Sequence, residues 1–199
     1  KKAVNLGYLD FSTLASRRHA LERELELNRR TAPGIYLQTI PVRRSMAGLE
    51  LAGVGEVVEW LLEMVRFPPG SLLSDLWRRG GLSDRIMEIL ARRVARFHDE
   101  AGVVAGVDWP GAVSRIVREN AEDLRSLSHV FEQDRIEAEI AGRQRLLAAP
   151  APALAAQAHD VRHCHGDLHL GNVFLDGETP TLFDCIEFND FYAIIPPLY

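Results

Sequence analysis

The chain has 199 residues, 47% of them hydrophobic and 26% charged, with a formal net charge of −5. That length can bury a real core in one domain or two packed lobes, and the mild acidity without a basic block speaks against a nucleic-acid partner. Apolar runs stop short of a membrane span, no signal peptide opens the chain, and two cysteines, Cys164 and Cys185, make no disulfide framework, so a cytoplasmic location fits.

Lys2-Ala3-Val4 reads as the end of a strand. Asp10-Phe11-Ser12-Thr13 offers capping oxygens to a helix over roughly Thr13–Arg29, with Leu14, Leu21, Leu25 and Asn28 on one stripe. Glu24 lies beside that stripe. Its plain reading is a solvated face, shared with Glu22, Glu26 and the arginines. Ala32-Pro33-Gly34 ends the helix. Three strands follow, Ile35–Val42, Ala47–Ala52 and Val57–Val65, in a mostly antiparallel sheet. Arg43-Arg44-Ser45 and Gly53-Val54-Gly55-Glu56 are its turns. Gly53-x-Gly55 lacks the helix and lysine of a phosphate loop. Beyond Pro68-Pro69-Gly70 the chain turns helical: a short piece over Ser71–Arg79, then a longer helix capped by Ser83 or Asp84 and reaching about Ala101. Ile86, Leu90, Val94 and Phe97 point it inward, and His98 belongs to or borders the core. A helical stretch from Ala112 to about Ala148 breaks in two near Ser126-Leu127-Ser128, and Ala149-Pro150-Ala151-Pro152 is a loop.

The densest chemistry lies in His163-Cys164-His165-Gly166-Asp167-Leu168-His169-Leu170-Gly171-Asn172, followed by Leu182-Phe183-Asp184. Between Asn172 and Asp184 two short strands surround an Asp176-Gly177 turn, the spacing of a hairpin. Such a hairpin brings Asn172 and Asp184 to one end, with Asp167 in the loop just before it. Two oxygen ligands and a nearby base are what phosphoryl transfer from a magnesium nucleotide requires. Zinc is the competing use of His163, Cys164, His165 and His169, with Cys185 approaching from the hairpin. Alternation along a strand would face the histidines away from Cys164, and no C-x-x-C pair exists. Buried thiols are the plainer reading.

His165-Gly166-Asp167-x-x-x-x-Asn172 with Asp184 downstream resembles the catalytic and metal-binding segments of the aminoglycoside phosphotransferase family, relatives of the protein kinases. Protein kinases carry Arg where Gly166 stands, and Asp-Phe-Gly where this chain has Asp184-Cys185-Ile186. Both departures point to the small-molecule branch rather than to a protein kinase. Leu9-Asp10-Phe11-Ser12-Thr13-Leu14, Leu27-Asn28-Arg29-Arg30 and Phe183-Asp184-Cys185-Ile186-Glu187-Phe188 are similar to an uncharacterised bacterial branch often joined to a C-terminal P-loop ATP-binding domain.

The resemblance implies an α+β, protein-kinase-like two-lobed fold. A small antiparallel-sheet lobe and hinge would span 1–67 and a mainly helical lobe 68–199, as a fragment truncated at both ends. It implies ATP-dependent transfer of the γ-phosphoryl group to a hydroxyl of a small molecule, with ATP and Mg²⁺ as cofactors. Asp167 would accept or orient the hydroxyl proton, and Asn172 and Asp184 would hold the metal. The phosphates need a lysine. The chain's lysines are Lys1 and Lys2, so the candidate is Lys1 or else Lys2, unless the lysine lies upstream. Its helix partner would be Glu22 or Glu24, and the family pattern favours Glu24. Met64 and Val65 would flank the adenine at the hinge. His165 would brace the loop, and His169 has no assigned role. Glu187 and Asp190 would continue an acidic rim toward a cationic substrate, a solvated edge being the plainer reading. The alternative function is a non-catalytic nucleotide-binding or regulatory kinase-like module of a larger protein.

Overall fold

Thr13 starts the first helix through a reciprocal cap. Its hydroxyl accepts from the Ser16 amide at 3.0 Å, and the Ser16 hydroxyl accepts from the Thr13 amide at 3.3 Å. The structure, a computed structural model, describes residues 1–7, 9–148 and 160–197. In chain order the elements are α1 (Leu14–Asn28), β1 (Tyr36–Ser45), β2 (Gly48–Leu51), β3 (Glu56–Met64), α2 (Leu73–Arg78), α3 (Asp84–Glu100), α4 (Trp109–Ser126), α5 (Gln133–Ala148), β4 (Arg162–His163), β5 (Val173–Asp176), β6 (Thr179–Leu182) and β7 (Ile194–Ile195). The loop expected at 149–152 lies outside the described residues. Two units result. One comprises 1–101 and 164–193, the other the described residues of 102–163 with 194–197.

The buried face of α1 is Arg17, Ala20, Leu21, Glu24, Leu27 and Asn28, rotated from the expected stripe, whose Leu14 and Leu25 are only half-buried. Polar side chains join that face because each finds partners there. Arg17 Nη1 donates to the carbonyls of Phe11 and Ser12, and its Nε donates to both oxygens of Glu59 in β3. Asn28 Nδ2 donates to Glu24 O at 2.9 Å.

The strands form an antiparallel sheet of order β2-β1-β3. Arg43, Arg44 and Ser45, expected as a turn, are strand residues opposite Glu50, Leu49 and Gly48, and the turn moves to Met46-Ala47. An antiparallel sheet with a wet face accommodates such charges without losing its ladder. Pro41 fits the central strand because β2 has already ended there. It pairs with Trp60 of β3, while its carbonyl accepts from the Ala52 amide. The strand end expected at Lys2-Ala3-Val4 does not form. Val4 bonds instead to the loop that follows, its carbonyl accepting from Phe11, next to an isolated Asn5–Asp10 bridge.

Ser83 caps α3 by accepting from the Ile86 amide, and Gly177 carries the hairpin turn at φ 62°. As expected, Leu90 and Phe97 of α3 face inward and His98 is buried. Leu90 and Phe97 meet Leu73, Val173 and Leu182, with Ile86 and Val94 packed around that core. Burial of each large side chain there contributes about 1.5–3 kcal/mol. In the other unit, α4 begins at Trp109 rather than Ala112. Asp108 accepts from the Gly111 amide, and Pro110 fits the first turn, where its missing N–H costs nothing. The expected break is real: α4 ends at Ser126. Ala121, Ile136 and Ile140 with Leu124 join α4 to α5, and Arg125 grips Glu137 with bonds of 2.7 and 2.9 Å. Strands β4 and β7 pair antiparallel. Among the described residues no helix is long and apolar enough to cross a membrane.

Candidate active site

The β5–β6 hairpin pairs Val173 with Leu182 and Asp176 with Thr179, so its two-residue turn is Gly177-Glu178, one residue beyond the expected Asp176-Gly177, because Asp176 is taken into the ladder. As expected, Asn172 and the Asp184 segment lie at the same end, where the Phe183 amide donates to Asn172 O at 3.0 Å. The hairpin is braced from the other side too. Leu72 bridges to Phe174, and the Leu175 amide donates to Ser71 O at 2.9 Å. Phe67, Phe174 and Phe183 form one aromatic cluster, with ring centroids 4.9, 5.3 and 5.7 Å apart.

Asp167 and Asn172 are brought together directly. Asn172 Nδ2 donates to Asp167 O at 2.9 Å and to Asp167 Oδ2 at 3.1 Å. This orientation leaves Asn172 Oδ1 as the amide's acceptor. Asn172 is buried, while the Asp167 side chain remains 55% exposed and open to a reactant. His165 braces the loop in the manner expected. Its Nε2 lies 2.9 Å from Phe183 O, and its Nδ1 accepts from the Asp167 amide at 3.4 Å. Burial pushes the His165 imidazole down to about 4, so it is neutral at pH 7, and the carbonyl partner sets the proton on Nε2. His169, which the sequence left without a role, has Nε2 3.6 Å from Asp167 Oδ2 and Nδ1 accepting from the Gly171 amide. Gly166 has φ 86°, and a Cβ there would lie 3.2 Å from side-chain atoms of Ala193 and Ile186. A side chain at that position, arginine included, would be strained by the backbone and crowded by both neighbours.

Asp184 has φ 64°, a left-handed backbone in a non-glycine residue. Two side chains hold the strained segment. The Asp184 amide donates to the Tyr36 hydroxyl at 3.1 Å, and the Cys185 amide donates to Asn28 Oδ1 at 2.9 Å. Asp184 keeps a solvent-facing surface. Yet desolvation by the surrounding protein, then the Glu187 and Asp167 carboxylates, raise its carboxyl above the usual carboxylate range, with Lys1 opposing. A hard cation suits this donor set, a crowded carboxylate and an amide oxygen on one hairpin end. Mg²⁺ takes one or two protein carboxylates, fills its other positions with water and phosphate, and needs no all-protein cage.

Lys1 lies 2.6 Å from Glu24 Oε2 and 2.6 Å from Glu187 Oε1. Glu22 instead pairs with Arg18 and Glu26 with Arg23, so Glu24 is the helix glutamate that meets the lysine. Burial raises the Glu24 carboxyl despite Lys1. The two carboxylates outweigh the effect of burial on Lys1 and raise its ammonium. Glu187, expected at a solvated edge, has a side chain only 8% exposed. The edge reading fails because its partner lies at the far end of the chain. Asp190 fits an edge better. It is half-exposed and pairs with Arg23 at 2.8 Å.

Met64 and Val65 border a cavity of about 500 Å³ with Phe67, Pro68 and Leu72. The Val65 amide donates to Ile35 O at 2.9 Å, so its N–H already has a partner. Both cysteines are buried thiols as read from the sequence, and burial pushes Cys185 up to about 11. The zinc reading meets a strand, β4, that ends at His163, and a His165 ring with both nitrogens engaged. Among the described residues no three His, Cys, Asp or Glu side chains gather around a point. Sequence reasoning missed the clamp made by Tyr36 and Asn28 and the lysine contact of Glu187. The one available signal was an asparagine on the inner stripe of α1, where a polar side chain needs a partner.

A family profile described as phosphotransferase enzyme family matches residues 17–199. Among curated proteins, uncharacterized proteins of Mycobacterium bovis and Mycobacterium tuberculosis are each 29% identical over 202 residues, covering 96% of this chain and 38% of their own. The chain therefore spans less than two-fifths of the length of these relatives. No solved structure matches.

Proposed function

Because the chain belongs to the phosphotransferase enzyme family, whose fold is protein-kinase-like, we propose that it carries the ATP- and Mg²⁺-handling region of an enzyme that phosphorylates a hydroxyl of a small molecule. The observation that supports this most is the contact of Asn172 with the Asp167 carboxylate, on a hairpin end shared with Asp184. In this reading a base, an amide oxygen and a carboxylate of separate sequence origin serve one site.

Asp167 is the group that takes or orients the proton of the attacking hydroxyl. Asn172 and His169 approach its Oδ2, and Oδ1 has no partner among the described residues. Asn172 Oδ1 and the Asp184 carboxylate would hold Mg²⁺, which when bound supplies positive charge against the phosphates. Lys1, oriented by Glu24, would meet the phosphate oxygens, and Met64 and Val65 would flank the adenine. The protein's share is placement and charge complementarity, because the transferred group carries its own reactivity.

The test uses the full-length protein that contains this chain, incubated with ATP, Mg²⁺ and a panel of alcohols, sugars and aminoglycosides. Asp167→Ala should lower turnover by about 10²–10⁴-fold, the contribution of a positioned acid–base group, while the unfolding midpoint is kept. Undiminished turnover in that variant overturns the role given to Asp167.

A further inference from the structure

The Lys1 ammonium is held from two sides. Glu24 comes from α1, whereas Glu187 comes from the segment three residues beyond Asp184, where phosphates would have to arrive. The two carboxylate side chains are 11% and 8% exposed, so water screens these pairs weakly. An ammonium has three N–H donors, and two are committed. Asp184 adds further negative charge beside Lys1, Glu24 and Glu187. A polyphosphate arriving without a counter-cation would have to take Lys1 from Glu187 against that charge.

We propose that Glu187 determines which form of the nucleotide is accepted: it competes with the phosphates for Lys1, so that tight binding requires a divalent cation carried in with them. This inference rests on the phosphotransfer reading. Glu187 is a positioning and selectivity residue here, acting through Lys1. Glu24 keeps the lysine in place when Glu187 yields it.

Calorimetric titration of the full-length protein with ADP, once with Mg²⁺ and once with a chelator, tests this. In Glu187→Gln, ADP without the cation should bind about tenfold tighter than to the unchanged protein, as expected from removing one charged competitor, and the gap between the two conditions narrows. Glu187→Asp keeps the charge and should keep the gap. An unchanged gap in Glu187→Gln overturns the competition and leaves the phosphotransfer reading standing. Equal weakening under both conditions makes Glu187 a plain support for Lys1 and also overturns it. Failure of the unchanged protein to bind ADP with Mg²⁺ overturns both readings.

Discussion

His165 shows how one buried ring can tie catalysis-grade geometry to pH. Its imidazole is 1% exposed and is pushed down to about 4 from an ordinary 6.5, chiefly by burial. Above pH 6.5 the ring is neutral whether the chain is folded or unfolded, and it contributes no pH dependence. As pH falls from 6.5 toward 4, the unfolded chain takes up a proton that the folded one refuses, so stability is lost across that window. A shift of this size corresponds to about 3 kcal/mol. Urea unfolding at a series of pH values should show this acid limb, and His165→Gln should flatten it. The neighbouring Asp167 stays exposed, which the role proposed for it requires.

At the scale of elements, α1 and β1 do more than support the sheet. Asn28 ends α1 and Tyr36 opens β1, and between them they accept the amides of Cys185 and Asp184. Tyr36→Phe leaves the Asp184 amide without that acceptor and should lower stability by about 1–2 kcal/mol in denaturant unfolding. Asn28→Ala removes a buried side chain bonded to both Glu24 O and the Cys185 amide, so it should cost more, about 2–3 kcal/mol. Thr13→Ala opens the reciprocal cap and should cost about 1 kcal/mol, read by thermal unfolding. The cap, the Gly177 turn and the break after Ser126 were legible in the sequence because each is decided by residues only a few positions apart. Neither the choice between Glu22 and Glu24 nor the place of Glu187 was fixed that way. The burial of α1 follows the hydrogen bonds of Arg17 and Asn28, not an apolar period, and Glu187 meets a residue 186 positions away.

Over the whole molecule, the segment leaving β3 and the hairpin that carries the candidate site share the cluster of Phe67, Phe174 and Phe183. Phe174 is 2% exposed, and Phe174→Ala should cost about 3–5 kcal/mol in denaturant unfolding, the range for emptying an aromatic core position. The resemblance carried by Asp167, Asn172 and Asp184 anticipated the family that the profile over residues 17–199 shows, because their spacing is local and survives in sequence. The turn misplaced at Arg43-Arg44-Ser45 shows the limit of the same reading. Charged residues look like loop until a neighbouring strand gives their backbone a ladder.

The left-handed backbone of Asp184 narrows which replacements can report on chemistry there. Asparagine and glycine tolerate such a conformation at low cost, whereas alanine and above all β-branched side chains do not. A saturation library scored by soluble yield should therefore keep the Asp184→Asn and Asp184→Gly clones and lose Asp184→Val and Asp184→Ile, whatever ion or nucleotide is present. Asp184→Asn is thus the informative variant, because it removes the charge while leaving the bend in the main chain undisturbed.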